Sequence, residues 1–360
     1  MVTVIRVPLA ERSYDIEIGT ANLPGSGSFL TSRLQPSHAA LITDCHVVDP
    51  HARTVRESLR AAGMRVDECV LEAGETTKSV AHAERLWHWL LDIGADRKSV
   101  VVAVGGGVIG DLAGFVAATY ARGLDFVQVP TTLLAQVDSS VGGKVAVNLP
   151  EAKNMVGAFW QPRGVLIDTQ VLETLPLREY RAGLAEVVKY GVILDAEFFV
   201  YLEQHVAEIA ARDPAALRHI IARSCQLKGD VVAADEREET GLRAILNYGH
   251  TYCHAIETLT GYGRYLHGEA VAIGMICASR LAERLGRIDA QTTRRQIELL
   301  QALGLSCELP PLDHEEMIAA MQRDKKVAHG RLRFVLPDRI GHVELLGNIA
   351  GEDVRAALAG

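Results

Sequence analysis

No two cysteines in this chain are spaced C-x-x-C; the six, Cys45, Cys69, Cys225, Cys253, Cys277 and Cys307, are scattered. That spacing indicates neither a disulfide frame nor a cysteine zinc site, and it predicts buried thiols. Long basic runs are missing as well, and the formal net charge is -8. A nucleic-acid or anionic-membrane partner depends on clustered Lys and Arg and is not expected here. An anionic small substrate would need a local basic cluster instead. No run approaches the roughly 20 apolar residues of a membrane span. The opening MVTVIRVPLAERSYDIEIG alternates like a strand pair and lacks a charged-then-apolar export pattern, so a cytoplasmic location is expected. Internal repeats and low-complexity segments are also absent.

What is present is ample material for folding. A chain of 360 residues with 48% hydrophobic content can bury one large or two ordinary cores, and two domains are expected. Strand and helix alternate through the first half: AALITD (39–44), an amphipathic stretch around AERLWHWLLDIG, SVVVAV (99–104), a glycine cluster and GDLAGFVAATYARG. DFVQVP (125–130) and GVLIDT (164–169) supply further strands, and TLPLREYRAGLAEVVKYGVIL opens a half dominated by helical periods. The expected division is an α/β, Rossmann-like nucleotide-binding domain over 1–175 and a mainly helical domain over 176–360. RLRFVLPDRIGHVELL interrupts those helices with an extended patch.

Gly105-Gly106-Gly107-Val108-Ile109-Gly110 satisfies G-x-G-x-x-G after a strand and before a helix. In that setting bare backbone amides can approach a diphosphate at the helix N-terminus. The bland alternative is a glycine turn that merely packs helix on strand. In the usual dinucleotide fold an acid ends the next strand, whereas here Asp125 begins it and an earlier strand ends in Asp44. The order is not that of an ordinary dinucleotide fold. The connection VPTTLLAQVDSSVGGKVAVNLPEAKNMVGAFWQP (129–162) then gathers Thr131, Thr132, Asp138, Ser139, Lys144, Lys153 and Asn154. Its lysines can hold a phosphate and Asp138 a substrate hydroxyl or the cofactor, though for each lysine alone a solvated surface is the better reading.

In NYGHTYCHAIE (247–257) His250 and His254 lie four apart in a stretch whose apolar spacing suits a helix. At that spacing both can face one ion. The glutamate of an H-E-x-x-H zinc helix is missing, which removes the chemical support for a metalloprotease. Either both histidines are ligands, or one is a ligand and the other a hydrogen-bonded neighbour.

The stretches ARGLDFVQVPTTLLAQVDSSVGGK, KNMVGAFWQP, GLAEVVKYG, LNYGHTYCHAIE, LHGEAVAIGM and DKKVAHGRLRFVLP, in this order, make the chain resemble the 3-dehydroquinate synthases over nearly its whole length. The resemblance implies an NAD- and zinc- or cobalt-dependent enzyme. It would convert 3-deoxy-D-arabino-heptulosonate 7-phosphate to 3-dehydroquinate and phosphate, a step of the shikimate pathway that leads to aromatic amino acids. The implied sequence is transient oxidation by NAD, phosphate elimination, re-reduction, ring opening and intramolecular aldol closure.

Carried over residue by residue, the resemblance implies Glu186, His250 and His267 as metal ligands, with His254 facing the substrate and Lys189 beside the metal. It implies Asp138, Lys189, Asn247 and His254 as catalytic. Lys144, Asn154, Asn247 and Lys326 would surround the phosphate, joined by Arg122 from the second subunit of a homodimer, while Lys228 and Arg243 hold the carboxylate. The NAD set is Asp44, Glu75 and Lys78 near the adenosine, and Gly106, Gly107, Val108, Ile109, Gly110 and Asp111 around the diphosphate. Thr131, Thr132, Asp138, Lys144 and Lys153 lie toward the nicotinamide, with Thr174 and Leu175 closing over it. Asp111 could equally cap its helix, and Thr131 with Thr132 could simply start one.

The chain departs from the family at Leu149 and Ala152, where histidine and glycine are expected, and at Cys253, where glycine is usual. DEREETGLR is one residue longer than usual, which leaves Glu238 and Glu239 as alternative site residues. Three further readings are a sister sugar-phosphate cyclase, a metal-dependent polyol dehydrogenase of the glycerol dehydrogenase kind, and a nucleotide- or metal-sensing protein. The cation cluster fits the first poorly and the second worse, and the third predicts gaps in the reactive set.

Overall fold

Unbroken apolar runs, rather than alternating ones, become strands covered on both faces. HAALITD and VVVAVG are such runs, and every residue of both is buried. The computed structural model describes residues 2–150, 152–261, 263–323 and 332–359. Its strands are β1 (Thr3–Val7), β2 (Tyr14–Gly19), β3 (His38–Asp44), β4 (Arg65–Leu71), β5 (Val100–Gly105), β6 (Asp125–Pro130), β7 (Lys144–Leu149), β8 (Ala152–Phe159), β9 (Gly164–Asp168), β10 (Arg333–Arg339) and β11 (His342–Gly347). The fold is mixed α/β with a parallel sheet. The chain divides into two units, Met1–Leu175 with Leu217–Arg237, and Pro176–Ala216 with Glu238–Gly360.

In the first unit the sheet order is β1-β2-β9-β6-β5-β3-β4, parallel throughout except for the antiparallel β1–β2 edge pair. Ala40, Ile42, Val101 and Ala103 pack with Leu86 and Leu90 of helix Val80–Asp92 and with Leu112 and Val116 of helix Gly107–Thr119. Each such buried leucine or isoleucine contributes about 1.5–3 kcal/mol relative to exposure. Residues Leu217–Arg237, distant in sequence, fold with this unit. Arg12 donates Nε and Nη2 to the two oxygens of Glu236 at 3.0 and 2.6 Å, linking that segment to the β1–β2 connection.

The stretch read as one glycine-rich connection is in part a β-hairpin, β7 paired antiparallel with β8. Val145 and Val147 point into the core while β8 lies largely exposed. KVAVNL buries Val145, Ala146 and Val147 in succession between polar ends. The flanking glycines and polar residues make so short an apolar core read as loop. Gly157 is there because a Cβ would strike the carbonyl oxygen of Val145 across the pair.

The second unit holds helices Leu177–Leu194, Ala196–Gln204, His250–Thr260, His267–Arg284, Ala290–Ala302, His314–Arg323 and Gly351–Ala359, with the β10–β11 hairpin. All six cysteines are free, but the expectation of burial fails for Cys45, which is exposed just past the end of β3, and for the partly exposed Cys69 on the edge strand β4.

Candidate active site

Three helices of the second unit bring together a carboxylate and two imidazoles. Glu186 sits mid-helix in Leu177–Leu194 and is fully buried. Its Oε1 lies 3.7 Å from His250 Nε2 and 3.8 Å from His267 Nε2 and accepts no hydrogen bond among the described residues. Lys189, one turn further on, is buried and forms an ion pair with Oε2. A buried carboxylate oxygen without a donor is costly. Facing two imidazole nitrogens, it suits a borderline divalent cation, which takes nitrogen and oxygen donors in this way.

Glycine contacts aim the two imidazoles. His250 opens its helix rather than lying within it, because Gly249 precedes it with φ +78, and Met275 N would stand 2.7 Å from a Cβ there. A Cβ on Gly274 would strike the Gly249 carbonyl oxygen, and one on Gly268 that of Ala182. The helix beginning at His267 therefore packs closely on its neighbours through bare backbone. Buried Tyr248 adds a tether from its hydroxyl to Met275 O and Gln296 Oε1 at 3.0 and 2.8 Å. His250 Nδ1 faces Tyr248 O at 3.1 Å, which leaves Nε2 turned to Glu186. On His267, Nδ1 faces Glu257 Oε1 at 3.6 Å. Such outer contacts select the ring tautomer.

Among the described residues, the metal-capable donor sets within 4.8 Å are Glu186, His250 and His267, and Cys253, Glu257 and His267. His254 belongs to neither, although its ring centroid is 5.8 Å from that of His250. Nothing in the motifs marks Glu257 and Cys253 as donors. The signal available was their spacing, four apart on the face that carries His250. Asn247 ends the short turn Leu242–Asn247, half-buried. Arg243 in the same turn is buried, with Nε 3.6 Å from Glu238 Oε1, so the carboxylate facing it is that of Glu238.

In the first unit the glycine turn joins β5 to helix Gly107–Thr119. Gly106 is its N-cap, without a side-chain cap. A Cβ on Gly106 would meet Thr132 Cγ2 at 3.0 Å, and one on Gly110 would meet Gln128 Oε1 at 2.7 Å. Val108 is half-buried at this mouth and Ile109 buried in the core. Asp111 is not a cap. It lies within the helix and pairs with the buried ammonium of Lys78. Burial pushes its carboxyl up, and Lys78 opposes that shift.

Asp44 ends β3 and accepts from His46 N at 2.8 Å, and Glu75 accepts from Asn148 Nδ2 at 2.7 Å. Thr131 is buried with no partner for its hydroxyl among the described residues, whereas Thr132 accepts from Ala135 N at 3.1 Å and starts the following turn. Lys228 donates to Asp138 Oδ1 at 2.7 Å and to its carbonyl at 2.8 Å, a pairing the sequence reading did not foresee. Lys144 begins β7, and Lys153 and Asn154 lie on β8, where Asn154 N donates to Asn148 Oδ1 at 3.0 Å. Thr174 faces His51 Nε2 at 2.8 Å, and Leu175 follows it. Arg122 is exposed between Ala121 and Gly123, all three at positive φ. Lys326 lies outside the described residues.

Residues 68–182 match the family described as 3-dehydroquinate synthase N-terminal, and residues 183–327 match 3-dehydroquinate synthase C-terminal. A 3-dehydroquinate synthase of Rhodopirellula baltica is 52% identical over 360 residues, covering 98% of this chain and 96% of the relative. The structure of a 2-deoxy-scyllo-inosose synthase complexed with carbaglucose-6-phosphate, NAD+ and Co2+ superposes with a TM-score of 0.90 at 28% identity, covering 99% of each chain. ValA, a 2-epi-5-epi-valiolone synthase from Streptomyces hygroscopicus subsp. jinggangensis with NAD+ and Zn2+ bound, gives 0.88 at 28% identity, covering 96% of each. With both halves matched in order and half of its residues identical to a curated relative, the chain belongs to the 3-dehydroquinate synthase family.

Proposed function

We propose that this protein converts 3-deoxy-D-arabino-heptulosonate 7-phosphate to 3-dehydroquinate and phosphate, as a phosphate-eliminating lyase using NAD and a zinc or cobalt ion, and that it does so in the cytoplasm. The observation that carries this reading is the convergence of Glu186, His250 and His267 in a chain 52% identical to a 3-dehydroquinate synthase. No helix among the described residues is long and apolar enough to cross a membrane.

Glu186 Oε1 and Nε2 of both His250 and His267 hold the cation in this reading. Gly106, Gly107, Val108, Ile109, Gly110 and Asp111 hold the NAD diphosphate, with Asp44, Glu75 and Lys78 toward the adenosine. Thr131, Thr132, Asp138, Lys144, Lys153, Thr174 and Leu175 lie toward the nicotinamide. When bound, NAD supplies reversible hydride acceptance and the cation polarises substrate hydroxyls. Lys144, Asn154, Asn247, Lys326 and the partner subunit's Arg122 bind the phosphate. Lys228 and Arg243 take the carboxylate, Arg243 with its planar fork. Since Lys228 is held by Asp138, substrate must share or take over that ammonium. His254 and Lys189 hold and move protons at the substrate hydroxyls, and Asn247 orients them. Keeping one flexible substrate in place through every stage supplies the proximity that makes ring closure fast.

The test uses the heptulosonate phosphate in excess over NAD, with zinc present. Phosphate and 3-dehydroquinate should form together far beyond the NAD supplied, with no net NADH. One NADH accumulating per substrate consumed would instead mark a dehydrogenase.

A further inference from the structure

Cys253 is fully buried beside a proposed metal ligand, and nothing in the proposed reaction uses it. Its Sγ lies 3.7 Å from His267 Nδ1 and 3.8 Å from Glu257 Oε2, and Glu257 Oε1 lies 3.6 Å from the same Nδ1. A tetrahedral cation with a sulfur ligand at about 2.3 Å and nitrogen or oxygen ligands at about 2.0–2.1 Å separates its donors by about 3.3–3.6 Å. The Sγ–Nδ1 edge of 3.7 Å slightly exceeds that range, while Glu257 turns Oε2 to the sulfur and Oε1 to Nδ1, so its carboxylate must rotate to put one oxygen on the ion; the three donors lie within 4.8 Å of one another. The Glu186 triad, with edges of 3.7 and 3.8 Å, is likewise wider than a closed tetrahedral set.

The donors stand on firm supports. Cys253 and Glu257 lie four apart on helix His250–Thr260, and His267 opens the next helix, which packs on the first through Gly274 and Gly249. A thiolate and a carboxylate together offset a divalent charge, and the thiolate favours a soft ion. Glu257 is 8% exposed, whereas the His267 side chain is 34% exposed and leaves one side open.

We propose that Cys253, Glu257 and Nδ1 of His267 form a second cation site that takes a thiophilic divalent ion, Cd2+ or excess Zn2+. On binding, the thiol proton passes to solvent and the imidazole proton sits on Nε2 rather than Nδ1, and the ion gains bonds to sulfur, to Nδ1 and to a carboxylate oxygen. The site shares His267 with the first triad, so its occupation disturbs that triad and soft cations inhibit the protein.

The test titrates metal-free protein with cadmium alone, in a Cys45→Ser background that removes the exposed thiol. The expected result is ultraviolet sulfur-to-cadmium charge-transfer absorption and a thiolate-shifted cadmium NMR signal. Both should disappear in Cys253→Ser, weaken in Glu257→Gln and persist in Glu186→Gln. Absence of the thiolate signature in the Cys45→Ser parent overturns the proposal without recourse to any further variant, and so does its survival in Cys253→Ser. Cys253→Gly replaces Cys253→Ser if the latter misfolds. Phosphate release by the zinc-loaded enzyme is scored separately, so failure of the cadmium site and failure of the proposed catalysis are distinguishable.

Discussion

His250 and His254 occupy one helical face, yet of the two only His250 belongs to a metal-capable donor set with Glu186. The i, i+4 spacing allows two imidazoles to share an ion, but the choice of third donor lies with other helices. His250→Ala should therefore lose bound metal and turnover together. His254→Ala should keep its metal by elemental analysis and lose about 10²–10⁴-fold in rate, the range for a proton-transfer group. A His254→Ala protein as empty of metal as His250→Ala would mean that the same-helix pair binds the ion. The chemical kinds of residue needed were legible in GLAEVVKYG, HTYCH and LHGEA. Nearest-neighbour relations were not: the pairing of Lys228 with Asp138, of Lys78 with Asp111, and of Arg243 with Glu238 rather than Glu239 arises from contacts that sequence spacing does not encode.

Among elements, the helix that starts at His267 depends on a missing side chain. Gly268→Ala would drive a Cβ into the Ala182 carbonyl oxygen. The helix must move, at a cost of about 1–3 kcal/mol or more, and His267 moves with it. Both Tm and metal affinity should fall, and a variant unchanged in both would contradict this packing. In the first unit, the hydrogen bond from Arg12 is the main cause holding the Glu236 carboxyl below its ordinary value of 4.5, against the opposing effect of burial. The stability this adds is present above that value and is lost as pH falls through the lowered one. With Arg12 largely exposed, the contribution is below about 1 kcal/mol. Glu236→Gln should melt slightly lower than the parent at neutral pH, and thermal melts should show the difference closing as pH drops below the ordinary value. A gap that widens in acid would refute the assignment.

For the whole molecule, the proposed homodimer makes each site depend on the partner subunit's Arg122. Arg122→Ala and Lys144→Ala subunits, each inactive alone, should complement when mixed. In a heterodimer one site carries both lesions and the other carries none. Random reassortment makes half the dimers heterodimeric, so about a quarter of wild-type activity should return. Mixed dimers demonstrated without recovery would count against a shared site.

Local chemistry was decided by the sequence alone. The apolar runs at 39–44, 99–104 and 125–130 are strands because burial on both faces needs no alternation, and the Gly105–Gly110 turn follows its strand because backbone must bend there without side chains. The order of the long motifs carries the resemblance to the 3-dehydroquinate synthases. Tertiary structure alone decided that Leu217–Arg237 folds with the first unit, that KVAVNL pairs with β8, and that Glu186, His250 and His267 converge while His254 stays outside their donor set. The physical reason is range. Periodicity reports which face of one element is apolar, whereas convergence of donors depends on how closely whole helices approach, and here bare glycine backbone at Gly249, Gly268 and Gly274 sets that approach.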